Sequence, residues 1–239
     1  MILRRLANAL RRQDWFAALI ELLIVVVGIF IGLQVDDWNQ QRIERRLVHS
    51  FLENLRSEVS NNVMAYRERI DSYQRTMDLF ESYFNHLADP SQPMPDVADL
   101  SAQLCRNGVM GHPQYDNSAY DEMVSTGFLR QIPDDQLREL LRKYRARQSA
   151  AMTAFSLQAP SVRDAFAKFE PFRTLEPLSG TNNGNCSFDF EGFEAHPAAS
   201  SWVADAQRLH AYFAYVASSV LEALEEADQL FGAASPNKS

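Results

Sequence analysis

The stretch from Trp15 to Val35, WFAALIELLIVVVGIFIGLQV, constrains this chain more than any other, because so long an apolar run is stable in few surroundings. A bilayer core takes about 20 apolar residues as a helix. Here the only ionisable side chain is Glu21, and the only other strongly polar one is Gln34, close to the end. The run therefore predicts a single N-terminal transmembrane helix. A cleaved secretory signal would be shorter and would end at a small-residue cleavage site; this run passes directly into Asp36, Asp37 and Trp38, as an uncleaved anchor does.

The flanking arginines give the anchor a direction. Arg4, Arg5, Arg11 and Arg12 precede it closely, whereas Arg42, Arg45 and Arg46 follow at a greater distance and are diluted by Asp36, Asp37 and Glu44. Positive charge is retained in the cytoplasm, so the N-terminus is expected inside and the body outside, in the periplasm if the host is a bacterium and the bilayer its inner membrane. The chain then reads as a basic cytoplasmic head over residues 1–14, the span over 15–35, an α-helical extracytoplasmic domain over 36–232 and a disordered tail over 233–239. A head this short cannot house an effector domain, so any signal would have to pass through a membrane partner.

Of the formal charge of -8, the head contributes +3 and the remainder -11, an acidic balance that repels nucleic acid. Scarce Gly and Pro, with Phe the commonest aromatic, favour packed helices over a turn-rich β protein. From Trp38 to Leu87 apolar residues recur every seven, at Leu52, Val59, Tyr66, Tyr73, Phe80 and Leu87, beside a second line at Val63, Ile70, Met77 and Phe84. This is one sustained helical stripe. A coiled coil is one outcome, but a seam of Tyr and Phe suits a thicker helical bundle better than a slim zipper. Asp36, Asp37, Asn61 and Asn62 are the positions where the helix could break.

ADPSQPMP, residues 88–95, ends that helix. A short helix is expected from about Pro95 to Arg106, with Pro95 in its first position. Another is expected from about Asn117 to Ser125, stopped at Gly127 in a left-handed cap. Pro133, Asp134 and Asp135 open a long helix that Ala159 and Pro160 kink or end, and Ser161 with Asp164 resembles a capping box. Residues 174–200 read as a loop in which Phe188 and Phe190 alternate like a short strand or clip. The last helix runs from Ser201 and closes at Gly232. The fold class is thus all-α, a transmembrane helix continuing into an extramembrane bundle.

Within the span, Gly28 and Gly32 form GxxxG and fall about 20° to either side of Glu21 at 100° per residue. The three share one face, on which small residues let helices approach and a carboxyl can hydrogen-bond across the pair. The competing view is a lone Glu21 that simply reaches the head-group layer. Cys105 and Cys186 either form a disulfide, as an oxidising compartment allows, or are two unrelated buried thiols. No catalytic or cofactor signature is visible. His49, His86, His112, His196 and His210 show no ligand spacing, so no metal is expected, and neither a nucleophile elbow nor a phosphate loop occurs.

The run Glu21 to Asn39, ELLIVVVGIFIGLQVDDWN, followed by SAYDEMVSTG at Ser118 to Gly127 and then Leu129, Ile132, Leu137 and Tyr144, resembles a bacterial family of single-pass membrane proteins, the domain of unknown function numbered six thousand and ninety. Glu21, Gly28, Gly32, Gln34, Asp37, Trp38 and Asn39 carry the resemblance at the anchor. It implies a membrane-anchored helical protein with no assigned activity or cofactor. The expected function is that of a non-enzymatic interaction or scaffold module, held in the lipid bilayer and paired as a homo-oligomer or with a membrane protein partner through Glu21, Gly28 and Gly32. The alternative is an extracytoplasmic sensor that binds a small molecule in an aromatic-lined gap.

Overall fold

The computed structural model describes residues 15–105, 110–132, 134–175 and 186–233; the head, the tail beyond Ala233 and Pro133 lie outside these. It is all-α, with six α-helices and one two-stranded ribbon among the described residues. Helix α1 spans Trp15–Ala88 without a break at Asp36, Asp37, Asn61 or Asn62. Two compact units divide between Glu53 and Asn54. The first contains the anchor, whose most apolar window of 18 residues has mean hydropathy 2.3 and is 0% buried, so α1 is long and apolar enough to cross a membrane.

The second unit begins with the rest of α1, which buries Leu55, Val59, Val63, Tyr66, Ile70, Tyr73, Phe80 and Tyr83. Their spacing is the helical stripe of the sequence, and each large side chain removed from water contributes about 1.5 to 3 kcal/mol. Two further long helices cover that stripe, α4 at Asp135–Ala167 and α6 at Ala199–Ala233. Along α1, Tyr73 and Phe80 meet Phe213 and His210 of α6 in reverse order, so α6 runs antiparallel to it. Lys143 pairs with Glu226, Arg147 with Glu222 and Lys168 with Asp205, which makes α4 antiparallel to α6 as well. Tyr and Phe thus fill a three-helix bundle within one chain.

Because α1 and α4 run the same way, the chain must cross back between them. That crossover carries α2 at Val97–Leu104, α3 at Ser118–Ser125 and a 3-10 turn at Phe128–Gln131. Pro95 is not the first residue of α2: Asp96 intervenes as the cap, its carboxylate accepting the Asp99 N–H, and the helix stops at Leu104 rather than Arg106. Gly127 follows α3 with φ 79°, the left-handed conformation for which a residue without Cβ is suited. Asp134 caps α4 by accepting the N–H groups of Gln136 and Leu137.

Two expectations for α4, an end at Pro160 and a capped restart at Ser161, fail here for one reason. Helix α4 continues through Pro160, and Ser161 and Asp164 lie inside it rather than starting a new helix. Pro160 is exposed while Ala151, Val162, Ala165 and Phe166 are buried on either side of it. Burial of the apolar face therefore offsets the backbone hydrogen bond that proline forgoes. The span read as a loop is also more ordered than expected at both ends: β1, Arg173–Leu175, pairs antiparallel with β2, Cys186–Phe188, and α5 forms at Phe190–Glu194. Phe190 consequently belongs to a helix and not to the clip, and α6 starts at Ala199 and contains Gly232.

Candidate functional site

Two places collect the side chains that composition alone would leave unexplained. On the anchor, Glu21, Gly28 and Gly32 are all exposed. A Cβ built on either glycine meets nothing within 4 Å, so the groove they form along the helix is open. The structure therefore presents the three residues as one uncovered face, flanked by exposed Ile24, Val25, Ile29 and Ile31.

The second place is a buried polar joint in the helical unit. Asn117 stands at the N-cap position just before helix α3, but its side chain makes no cap, so the first N–H groups of the helix need another acceptor. Glu58 of α1 supplies it: one carboxylate oxygen accepts the Ala119 N–H at 2.6 Å and the other the Tyr120 N–H at 3.3 Å. One turn along, Asn62 brackets the backbone of Asp116, donating to its carbonyl at 2.6 Å and accepting its N–H at 2.9 Å. The Asn62 amide also donates to Tyr144 Oη at 3.2 Å. Tyr144 Oη lies 2.7 Å from the Asn117 amide and 2.8 Å from Gln148 Nε2, and those contacts close the network in either orientation of the Asn117 amide. Arg145 finishes its outer edge, donating to Gln148 at 2.7 Å and to Asp121 at 2.8 Å above the Tyr120 ring.

Burial sets the electrostatics of this joint. Glu58 is 6% exposed, and desolvation raises its pKa from 4.5 to about 7 against the two backbone N–H groups that favour the anion; Asp116 and Asp121 add to the rise. Tyr66 and Tyr144 are pushed above the usual phenol range by desolvation and stay neutral. Asp116 moves the other way, held below the usual carboxylate range by the Ser118 N–H. No side-chain nitrogen or oxygen buried among the described residues lacks a partner. The joint is a closed lock between α1, α3 and α4 with one group that titrates near neutrality.

Cys105, just after α2, and Cys186 in β2 are joined in a disulfide with Cα atoms 6.0 Å apart. Arg173 of β1 supports the same corner, its Nε donating to the Leu104 carbonyl at 2.7 Å and its Nη2 to that of Phe166 at 3.1 Å. Beneath it, rings of Phe169, Phe172, Phe188 and Phe193 pack with centroids 5.2 to 6.4 Å apart. Elsewhere in the unit, the space between Arg69, Tyr73, Thr76, Phe166 and His210 measures about 10 Å³, room for about one water.

The sequence pointed to Glu21, Gly28, Gly32 and the two cysteines but missed Glu58, Asn62, Asn117, Tyr144 and Gln148. A signal was present. Glu58 and Asn62 sit one turn apart within the apolar stripe between Leu55 and Tyr66, where solvated polar side chains do not belong. Comparison with protein-family models, with curated proteins and with solved structures finds no match to this chain.

Proposed function

We propose that this protein is a bitopic inner-membrane protein whose helical domain is a non-enzymatic interaction or scaffold module, assembled through the membrane face of Glu21, Gly28 and Gly32. The observation that carries the reading is the open groove at Gly28 and Gly32 beside an ionisable residue, on a helix whose apolar window is 0% buried. A carboxyl in hydrocarbon is costly unless it finds a partner, and a second helix seated against the glycines would bring one within reach. The partner is a second copy of the chain or another membrane protein. The arginine bias at the two ends supports a cytoplasmic head and a periplasmic body, the compartment in which the Cys105 to Cys186 disulfide persists. Kinship with the single-pass family of unknown function is part of the same proposal and rests on the anchor and SAYDEMVSTG residues.

Crosslinking of the full chain in native membranes tests the assembly. Glu21→Ala and Gly28→Leu each abolish or weaken the crosslinked species on this reading. Assembly indistinguishable from wild type in both variants would sink it.

A further inference from the structure

Past the anchor, α1 stays exposed and its charges separate by face. At 100° per residue, Trp38, Arg42, Arg45, Arg46 and His49 fall within an arc of about 100°, while Asp36, Asp37 and Glu44 lie on the remaining surface. The five side chains border one shallow groove that is open to solvent. Arg42 and Arg46 have no ion pair with any described residue, Arg45 donates to the carbonyl of Gln41, and His49 faces Glu53 at 3.7 Å.

We infer that this arc binds anionic phospholipid head groups of the leaflet into which the C-terminal end of the span emerges. The inference rests on the reading of residues 15–35 as a membrane span. Height along the helix selects lipid as the occupant. Trp38 stands about 4 to 5 Å beyond Val35 by helical rise, within the head-group layer where amphipathic rings settle. Arg42 follows at about 10 Å and Arg46 at about 16 Å, and long cationic arms on such helices bend back to the interface. Guanidinium groups match phosphate geometry through paired N–H donors; Asp36, Asp37 and Glu44 lie on the opposite side of the helix, and Glu53 stands at the far end of the arc beside His49. The arrangement runs against the arginine bias that directs the head inward, so these arginines hold charge on the side where orientation does not call for it. Each arginine engaged favours an anionic over a neutral lipid by about fivefold.

The test reconstitutes the full chain in nanodiscs of phosphatidylcholine mixed with phosphatidylglycerol and measures the lipids retained when the protein is extracted into detergent. Wild type is expected to retain phosphatidylglycerol above its share of the mixture. The variant carrying Arg42→Gln, Arg45→Gln and Arg46→Gln is expected to retain the bulk ratio, while Arg75→Gln, an exposed site on the body, behaves as wild type. Circular dichroism of the triple variant verifies that the helices are intact, which is expected of exposed substitutions. Equal enrichment in wild type and the triple variant, or no enrichment in wild type, overturns the assignment of the arc alone. Failure of the chain to insert into the nanodisc overturns the span and the lipid site together.

Discussion

Glu58 makes the stability of the helical unit depend on pH in a direction opposite to that of an ordinary paired carboxylate. Folding raises its pKa from 4.5 to about 7, so the folded state binds a proton that the unfolded state releases. Below pH 4.5 both states are protonated and the unit has its full stability with respect to this group. Stability then falls as pH climbs towards 7, and above that the buried anion costs about 3 kcal/mol at 1.36 kcal/mol per pH unit. Glu58→Gln removes the titration while its amide oxygen still accepts the Ala119 N–H; the amide nitrogen, facing the Tyr120 N–H, costs about 1 kcal/mol. The variant is therefore less stable than wild type at about pH 4, equal to it near pH 5 and more stable at about pH 8. Urea unfolding of residues 54–233, followed by the fluorescence of Trp202, the one tryptophan in that stretch, measures both. Because every other side chain is the same in both proteins, the difference between the two curves isolates Glu58. Parallel pH profiles for wild type and variant would refute the account.

Two further outcomes concern the crossover and the clip. The disulfide closes a loop of 81 residues, and Cys105→Ser with Cys186→Ser is expected to lower stability by about 4 to 5 kcal/mol in the chain-entropy model. Urea midpoints with and without reductant should reproduce that loss in wild type and show none in the double variant. At Gly127 the added Cβ of Gly127→Ala meets no atom within 4 Å, so only the left-handed backbone is strained. The expected cost is about 1 kcal/mol, read as a shifted midpoint with an unchanged slope.

How far the sequence carried depended on the range of the interactions involved. The anchor, the aromatic stripe from Val59 to Phe80, the left-handed Gly127 and the start of α4 at Asp134 are local, and each is legible from residues within a few turns. The continuation of α4 through Pro160 was not, because Val162 and Phe166 are held from across the bundle. The polar joint was equally hidden: Glu58 and Ala119 are 61 residues apart, and nothing near either one names the other.

Hydropathy by itself determined that a single apolar helix leads the chain, since no arrangement of the other residues alters the length or charge of Trp15 to Val35. It also determined the all-α class, through periodicity. Tertiary structure alone decided that α1 and α4 run the same way, that Glu58 caps a helix it does not belong to, and that Cys105 meets Cys186. These depend on which distant surfaces come together, and that choice is made by packing the whole apolar stripe at once, a property that no short segment of sequence carries.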